Sequence, residues 1–587
     1  MEINVGVVRR PRNVDWKRAA ALLYGDWGTS KAYVTGLAFA AAAYSSFWLV
    51  LGVGILTAIV GINYIWICKY FPDGGGVYSS AKHHSMKLAL VGGFFLVADY
   101  IVTASLSAYD AFHYFGLDAH ARQWAIGSIF VIGIINFWGP RHSGTIAVLL
   151  GIPTVVTVVL LACFSIPYIL THPVRLEPLT LGVWGSWEAF VGVILALSGV
   201  ESIANMTAVM KKDPGSSDAY PSVRQTAGKS IWVVMVEVCI FTTLFGFVML
   251  AMPSPAGHHA DMLRYIGETV GGEWLGLLVS LVFGCLLLSA VNTAMSSLVA
   301  VLYLMTSDDE LPRPFASLNR YGVPWILMMI AILIPVFVTD IIDDLEGLAS
   351  LYAIGVAGAI LINLASCAFN RQLPMPRHER VIMLGTSALL LAVEITIAVT
   401  KLHALVFVVV ILGLGFAARQ IHKASSRKPV EPPPEPGTGY NPPEEEAPID
   451  LDLISGGKIL VAVRGITPSL KFAIEEARAR KCALYVLYVR EIAVNIPAGP
   501  ARWQDDPVAR DIFEKSRQLA EGTPLIPVYA NSNLPAETIV EMACLLGADF
   551  LVLGTSERSG LVNFMKGNIV QEVVRSLPEN VHVLIYG

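Results

Sequence analysis

Charged residues are scarce in this chain of 587 residues. Asp, Glu, Lys and Arg together make up 15% of it, whereas hydrophobic residues make up 55%. A typical soluble domain carries about a quarter charged residues, so this composition excludes an ordinary soluble protein and indicates an integral membrane protein. The net charge is only −5 and there is no basic block, so nothing indicates a nucleic-acid partner.

Cysteine is scarce too, and its spacing excludes the usual metal motifs. The seven cysteines are scattered, with no C-x-x-C pair. Five of them fall in apolar stretches, where cysteine is typically a small buried hydrophobic residue. A cleavable signal peptide is not expected either, because the N-terminal segment VVRRPRNVDWKR is basic and polar.

The chain is rich instead in long apolar stretches. A helix needs about 20 apolar residues to cross a bilayer. On this basis the sequence predicts about twelve membrane-spanning helices, at 20–45, 48–70, 88–115, 122–138, 143–170, 183–209, 230–252, 274–305, 324–340, 346–368, 381–400 and 403–420.

The loops between these segments alternate in charge. Basic residues gather in loops such as 9–18, 211–229 and 371–380, whereas acidic residues gather in 261–273 and 340–346. Loops rich in Lys and Arg stay on the cytoplasmic side of a membrane. We therefore expect a multi-pass protein of the inner (plasma) membrane with both termini in the cytoplasm.

A second kind of sequence follows the last predicted span. Residues 423–450 are rich in proline and acid, which predicts an extended linker. Within 451–587, the short apolar stretches GKILVAV, CALYVLYV, DFLVLG and VHVLIYG, which are typical of strands, alternate with helical patterns such as SLKFAIEEARARK. This alternation predicts a cytoplasmic α/β domain with a parallel sheet, joined to an all-α membrane domain over 1–422.

Two predicted spans contain residues that break helices. GDWGTS at 25–30 places two glycines and an acid in the first span, and SGVESIAN places Gly199 and Glu201 in the sixth. Irregular backbone occurs at membrane depth only where it lines a cavity. Breaks in the first and sixth spans are typical of transporters with two inverted five-helix repeats (the LeuT type) and a substrate site at the midplane. The alternative is that these glycines only let helices pack closely.

Several charged residues fall inside predicted spans. An acid at membrane depth costs at least ~2.5 kcal/mol, so each one is a functional hypothesis by default. Glu237 fits a structural contact and a coupling role equally, and Glu394 lies in a late span where packing or dimerisation is more usual. Lys31 either snorkels or pairs with an acid such as Asp26. The five acids are Asp26, Asp99, Glu201, Glu237 and Glu394.

The third span adds hydroxyl groups next to one of these acids. Tyr100, Thr103 and Ser107 follow Asp99 at helical spacing. Hydroxyl and carbonyl oxygens with one or two carboxylates suit an alkali cation, which must exchange its hydration shell for oxygens. The alternative for any single hydroxyl is a bond back to its own helix.

These motifs resemble those of known potassium transporters. YGDWGTSKAYV resembles the first-helix signature GD-x-GTS-x-x-Y of KUP-type transporters, and FPDGGGVYSSAK resembles the Gly-Gly-x-Tyr loop of the amino acid–polyamine–organocation superfamily. ADYIVTASLSA, SGVESIAN and ELPRPFASLNRYGVPW most resemble the KimA-type branch of potassium–proton symporters. That branch also carries a C-terminal universal-stress-protein-like domain. The resemblance covers nearly the whole chain and implies a secondary active importer of K⁺, not an enzyme.

The resemblance also implies site residues. Position 198 departs mildly from the threonine of the family, but serine keeps the hydroxyl. Asp99 and Glu201 are implied as carriers of the coupling proton, and Asp26, Thr103 and Ser198 as direct ligands of the metal ion, potassium. The full set of implied potassium ligands is Asp26, Tyr33, Tyr100, Thr103, Ser107, Ser198, Glu201 and Tyr352.

The C-terminal resemblance implies a nucleotide site that the residues match only in part. The phosphate loop of that family reads G-x-x-G-x₉-G-[ST], and its backbone N–H groups hold phosphates. Here Glu557 stands at the second glycine and Asn568 replaces the final Ser or Thr. The candidate nucleotide-binding residues are Gly554, Ser559, Gly567, Arg464 and Arg558.

The KimA-type branch further implies regulation by cyclic di-AMP, with ATP as the other candidate. It also implies a homodimer through C-terminal domains that exchange between protomers, for which the proline-rich linker has the reach. The alternative is a C-terminal domain that only dimerises.

Two other functions stay open. The first is a proton-coupled amino-acid or polyamine transporter of the same fold. Amino-acid carriers offer bare helix N-termini to a carboxylate, whereas Asp26 would repel a carboxylate and accept an amine. The second is a nutrient sensor, whose membrane part reports occupancy to the cytoplasmic domain. Two helix breaks combined with several acids favour transport.

Overall fold

A computed structural model describes residues 12, 14–139, 143–217, 221–342, 344–426, 457–493, 503–555, 568–578 and 581–586. Its first part is helical, and its last part is an α/β domain. Helices of the first part are α1 Trp16–Trp27, α2 Ser30–Ala42, α3 Ser46–Tyr70, α4 Val77–Lys82, α5 Met86–Tyr114, α6 Ala121–Asn136, α7 Ser143–Thr171, α8 Gly182–Gly192, α9 Ser202–Met206, α10 Arg224–Val248, α11 Met262–Gly271, α12 Glu273–Ser307, α13 Trp325–Ile341, α14 Leu345–Phe369, α15 Arg377–Thr400 and α16 Leu402–Ser426.

The helices confirm a multi-pass membrane domain. Within the described residues, eight helical stretches are long and apolar enough to cross a membrane, or nine if the bent pair of 182–192 and 194–209 counts as one span. The stretch Trp16–Tyr70 is 55 residues long and covers the first two predicted spans. Helices α6 and α13 have 16 and 17 residues and fall short of the usual spanning length. A helix therefore lies on each of the twelve predicted segments, but not every helix is long enough to be counted as a span.

The predicted break in the first span is present, and it is slight. Helix α1 ends at Trp27, and α2 begins at Ser30. The backbone N–H of Thr29 donates to the Asp26 carbonyl three residues back (3.2 Å), and that of Ala32 donates to the Thr29 carbonyl (2.8 Å). The α-helical ladder is thus interrupted by one tighter turn.

The predicted break in the sixth span is much larger. Helix α8 gives way to a 3₁₀ turn over 194–197, and Ser198 is extended. Gly199 has φ +98°, a conformation that a residue with a side chain adopts only under strain. The two halves of this span meet at 45°. A glycine in this position gives the break its sharp change of direction.

One loop is packed deeply against the first span. The carbonyl oxygen of His259, in the segment between α10 and α11, lies 1.9 Å from where a Cβ at Gly36 would be. Only glycine permits this approach, because any side chain at position 36 would occupy the space of the loop backbone. The segment that carries His259 is therefore held against α2, next to the interior of the helical domain.

Ion pairs connect α4 and α16 to the segment that follows α12. Asp308, which directly follows α12, accepts hydrogen bonds from Tyr78 (2.8 Å) and Lys82 (2.7 Å) of α4. Glu310 pairs with Lys423 of α16 at 3.3 Å. These residues join three elements at the end of the domain that carries the basic loops.

The C-terminal part is the predicted α/β domain. Its five strands form one parallel sheet in the order β3-β2-β1-β4-β5, with helices between consecutive strands. Predicted strands at GKILVAV, CALYVLYV, DFLVLG and VHVLIYG are confirmed. The elements are β1 Lys458–Val463, α17 Pro468–Arg480, β2 Ala483–Glu491, α18 Pro507–Ala520, β3 Leu525–Ser532, α19 Pro535–Leu546, β4 Phe550–Gly554, α20 Ile569–Ser576 and β5 His582–Tyr586.

Strand β3 and helix α18 lie where the sequence analysis predicted no element. Pro527 sits inside β3, and a proline argues against a central strand because it lacks an N–H. The strand is at the edge of the sheet, where that donor is not required. Tyr529 of β3 donates to Asp506 (2.9 Å), whose carboxylate also caps α18. Burial and the Asp506 charge raise the pKa of Tyr529, so its phenol keeps the proton that it donates.

The end of β2 in the sheet domain contacts the loop between α12 and α13 of the membrane domain. The backbone N–H of Ala493 donates to the carbonyl of Gly322 at 2.8 Å. Gly322 has φ +78°, and a Cβ there would lie 2.3 Å from the Glu491 carbonyl oxygen. The end of β2 is thus seated on the segment between α12 and α13.

Candidate functional site

The two helix breaks lie against each other. A Cβ at position 199 would lie 2.5 Å from the Trp27 amide nitrogen and 3.0 Å from the Asp26 carbonyl carbon. The backbones of the first and sixth spans are therefore in direct contact, with no room for a side chain at Gly199. The two breaks therefore form one structural unit, and this contact explains why a glycine is required in SGVESIAN.

The motif GDWGTS satisfies its own broken helix. Thr29 Oγ1 donates to the Asp26 carbonyl (2.5 Å), Ser30 Oγ donates to the Trp27 carbonyl (2.6 Å), and Lys31 Nζ donates to the Gly28 carbonyl (3.1 Å). Each side chain thus reaches the carbonyl three residues before it. Helix ends leave carbonyls without partners, and at membrane depth such groups are very costly. Ser30 and Lys31 supply donors to the carbonyls of Trp27 and Gly28, and Thr29 adds a second donor to the Asp26 carbonyl.

Lys31 pairs with Glu237 rather than with Asp26. Its Nζ lies 3.0 Å from Glu237 Oε2 and 3.2 Å from the Tyr24 hydroxyl, which itself donates to Glu237 Oε1 (2.9 Å). The Lys31 side chain is fully buried, so it does not snorkel. The expected pairing of Lys31 with an acid is therefore present, but the acid is Glu237 of α10 rather than Asp26, and the expectation of snorkelling is wrong.

Two carboxyl groups in the site keep an oxygen without a hydrogen-bond partner. These atoms are Asp26 Oδ1 on α1 and Asp99 Oδ2 on α5, and both are buried. The Asp99 backbone is pressed against α14, since a Cβ at Gly355 would lie 2.9 Å from Asp99 Cα. Beside the two helix breaks, then, one buried carboxyl oxygen of Asp26 and one of Asp99 are available to bind a ligand.

Glu201 has partners within the second break. Its two carboxylate oxygens accept hydrogen bonds from the Gly199 N–H at 3.3 and 3.1 Å. The side chain is buried, immediately before α9. Its charge lies within electrostatic range of Asp99 and Asp26. Glu201 therefore stabilises the irregular backbone. Together with Asp26 and Asp99 it also forms a cluster of three acids at the helix breaks.

Buried tyrosine and serine side chains connect the second break and α2 to α14. Ser198 Oγ is hydrogen-bonded to the Tyr352 hydroxyl, which joins the second break to α14. The ring of Tyr33 packs edge-on against that of Tyr352, with centroids 6.3 Å apart. All three side chains are buried. The structure therefore brings Tyr33, Ser198 and Tyr352 together, as predicted.

The three hydroxyl side chains predicted on the third span differ in the contacts that they make. Thr103 Oγ1 donates to the Asp99 carbonyl (2.9 Å) and lies 3.3 Å from Asp99 Oδ1, so the bond back to its own helix is present. Tyr100 accepts a hydrogen bond from Asn205 of α9 (3.2 Å). Ser107 is buried farther along α5. An oxygen that donates its proton keeps lone pairs for a cation, so Thr103 remains a candidate ligand.

The arrangement suits an alkali cation better than a transition metal. Among the described residues, no three His, Cys, Asp or Glu side chains converge as metal ligands. The donors that do converge are carboxyl and hydroxyl oxygens on α1, α2, α5, α14 and the second break. Hard oxygen donors of this kind suit a cation that exchanges water for protein oxygens.

Glu394 lies away from this cluster, on α15. Its Oε2 is buried and lacks a hydrogen-bond partner among the described residues. Its helix packs against α14, α16 and α3. The expectation of a packing or dimerisation role stays a prediction.

The candidate nucleotide residues are only partly described. Arg464 and Gly554 follow β1 and end β4, two adjacent strands, so both lie at the carboxyl edge where open parallel sheets bind ligands. Arg464 donates to Glu491 Oε2 at 2.7 Å. A Cβ at Gly554 would lie 3.2 Å from Ser469 Oγ. Arg558, Ser559 and Gly567 lie outside the described residues.

Three positions in or near the candidate site were not anticipated from the sequence. Asn205 reaches Tyr100 from α9, Gly355 lets α14 approach Asp99, and Asp110 is a further acid within the predicted spans, buried near the end of α5. A signal existed for Asp110, since it follows Asp99 by three helical turns. It was missed because it lies close to the predicted end of the third span, where an acid is unremarkable.

Comparison with known families and proteins agrees with this geometry. Residues 14–429 match the family described as amino acid permease, and residues 457–584 match the universal stress protein family. The potassium transporter KimA of Bacillus subtilis is 24% identical over 512 residues, which cover 81% of this chain and 80% of that protein.

Two other relatives cover less of the chain. The DL-alanine permease SerP2 of Lactococcus lactis is 23% identical over 249 residues, or 39% of this chain and 52% of that protein. The polyamine transporter RMV1 of Arabidopsis thaliana is 26% identical over 200 residues, or 33% of this chain and 38% of that protein.

Proposed function

This chain belongs to the amino acid permease family, and we propose that it is a member that imports potassium by proton symport across the inner (plasma) membrane. It is a transporter and not an enzyme. The similarity to KimA over most of both chains supports potassium as the substrate. Both termini face the cytoplasm in this proposal, as the basic loops predict.

One observation carries the choice of substrate. Asp26 Oδ1 and Asp99 Oδ2 are buried carboxyl oxygens without a partner, beside the hydroxyls of Thr103, Ser198 and Tyr352. An isolated buried carboxylate is very costly, and a dehydrated K⁺ would supply the missing charge. Its attraction to two carboxylates is far stronger in such a site than in water.

The proposal of proton coupling rests on the closeness of three acidic side chains. Asp26, Asp99 and Glu201 are within electrostatic range of one another, so all three cannot be ionised when no cation is present. We assign the coupling proton to Glu201 or Asp99, which would hold it while K⁺ is absent and exchange it as K⁺ arrives. Glu201 is the stronger candidate because its protonation would also disturb its bonds to the Gly199 N–H.

The C-terminal domain is proposed to regulate transport and to dimerise. Arg464 and Gly554 offer a phosphate-binding edge for cyclic di-AMP or ATP, and the end of β2 contacts the membrane domain at Gly322. Ile585 and Tyr586 of the edge strand β5 are about half exposed, which suits a partner subunit. Calorimetry of the purified full chain with each nucleotide tests the ligand.

The substitution Asp26→Asn tests the cation site. We expect the affinity for K⁺ to fall at least about tenfold, because a neutral amide replaces a charge at short range in a low-dielectric site. The measurement is ⁸⁶Rb⁺ uptake into proteoliposomes across a range of K⁺ concentrations. Asp340→Asn, an exposed acid at the end of α13, is the matched control. Wild-type affinity in Asp26→Asn would contradict the site.

The substitution Glu201→Gln tests the coupling. We expect ⁸⁶Rb⁺ uptake to lose its dependence on an imposed pH gradient, since glutamine accepts hydrogen bonds but carries no exchangeable proton of this kind. Glu188→Gln, an exposed acid on the same span, should keep that dependence. If uptake driven by the pH gradient persists unchanged in Glu201→Gln, the proton belongs to another acid, and Asp99→Asn is the next test.

A polyamine transporter is the second candidate. The unpartnered carboxyl oxygens of Asp26 and Asp99 would also accept an ammonium group, and the similarity to RMV1 supports this reading. Competition separates the two substrates. Potassium transport predicts that excess putrescine leaves ⁸⁶Rb⁺ uptake unchanged, and rescue of a potassium-uptake-deficient host at low K⁺ is the matching growth test.

A further inference from the structure

Asp110 is a buried acid that the proposed central site does not use. It lies in the last turns of α5 and is fully buried. Neither of its carboxyl oxygens has a hydrogen-bond partner within the described residues. The neighbouring hydroxyl of Tyr114 donates instead to the Ala32 carbonyl (2.8 Å). A carboxyl group held in this way at membrane depth is costly, and folding alone gives no reason to keep it.

Asp110 stands on the same face of α5 as the central site. It follows Asp99 by eleven residues, which is about three turns and ~16 Å along the helix axis. Thr103 lies on that face between them, and Ser107 lies nearer its edge. Helix α5 therefore carries a line of oxygen groups from the central site toward the end of the helix at Tyr114.

The surroundings of Asp110 place it between the central site and the loop near α11. Tyr33 is within electrostatic range of both Asp26 and Asp110. From the other direction Asp261, on the segment that precedes α11, is within electrostatic range of Asp110 and is itself paired with His258 at 2.9 Å. The same segment is pressed against α2 at Gly36. The acids Asp26, Asp110 and Asp261 thus form a series that leads from the helix breaks to this loop.

We propose that Asp110 is the anionic ligand of a second monovalent-cation site, which holds an ion between Asp26 and the loop that carries Asp261. The inference rests on the proposed potassium function and adds a residue and a position to it. A single carboxylate with phenol and carbonyl oxygens nearby suits a monovalent ion, because a divalent ion requires more charge from its ligands. By the basic-loop topology, this site lies on the outer side of the central one.

Equilibrium binding of ⁸⁶Rb⁺ to the purified full-length protein tests the second site. We expect about two ions per wild-type chain and about one per chain in Asp110→Asn. The affinity of the remaining site should change less than about twofold, because Asp110 lies ~16 Å along α5 from Asp99 of the central site. Asp118→Asn is the matched control, since Asp118 is an exposed acid just beyond α5. It should bind as the wild type does.

The outcomes separate this inference from the function on which it rests. If the wild type binds no ⁸⁶Rb⁺, the potassium function itself fails. If Asp110→Asn binds as many ions as the wild type, the second site is overturned and the central site stands. If Asp110→Asn binds no ion, the second site is also overturned, and Asp110 belongs to the central site. Folding should not obscure the result, because the substitution removes an uncompensated carboxyl; Asp110→Ser gives an independent neutral variant, and gel filtration checks both.

Discussion

Replacing Glu237 with glutamine is expected to lower the free energy of unfolding by about 3–5 kcal/mol, because it leaves the Lys31 charge buried without a counter-charge. The Lys31 side chain is fully buried, and its Nζ lies 3.0 Å from Glu237 Oε2. Glutamine keeps an acceptor for Tyr24 and Lys31 but not the negative charge. Thermal unfolding in detergent measures the loss, and Glu273→Gln, an exposed acid at the start of α12, is the control.

The double variant separates charge from packing. Lys31→Met combined with Glu237→Met should recover most of the lost stability, since replacing both members of a buried pair with apolar residues is often neutral. The same variants decide between the two roles that the sequence left open for Glu237. A structural role predicts lower stability with proton coupling intact in the molecules that remain folded. If Glu237→Gln is as stable as the wild type yet loses the pH dependence of uptake, Glu237 is a coupling residue.

Replacing Gly199 with alanine is expected to reduce transport at least about 100-fold, which is the scale on which a displacement of ~1 Å alters the function of a preorganised site. Two independent causes act together. Gly199 has φ +98°, and a Cβ there would lie 2.5 Å from the Trp27 amide nitrogen. The obstacle is backbone, which cannot rotate away as a side chain can, so the two breaks must separate.

Uptake of ⁸⁶Rb⁺ at saturating K⁺ measures this effect, with Gly192→Ala as the control on the same span. A Cβ at Gly192 would meet no atom within 4 Å, so that variant should transport normally. Near-normal transport by Gly199→Ala would show that contact between the first and sixth spans is not required for function.

The features predicted best from the sequence are those that repeat along it. Apolar runs gave the positions of the helices, and the alternation of short strands with helical patterns gave the parallel sheet. The break at Gly199 was also predictable, because a glycine beside an acid is out of place in a membrane helix. These signals depend on neighbouring residues only.

The missed features depend on partners far away along the chain. Lys31 and Glu237 are separated by 206 positions, so no local pattern could pair them. Strand β3 was missed because Pro527 argues against a strand until its place at the sheet edge is known. In the same way, the role of Gly355 appears only when α14 is seen against Asp99.

The side chains of Thr29, Ser30 and Lys31 give the first span an adjustable hinge. Each one holds a carbonyl three residues back, and each can be replaced without removing an implied ion ligand. A neutral hydrogen bond contributes about 1 kcal/mol, and one from a charged group contributes more. Stiffness at the bend can therefore change in small, separate steps at Thr29 and Ser30, whereas Lys31 is also the counter-charge of Glu237. Relatives with other residues at these three positions would differ in how fast they switch between states while keeping the same ion.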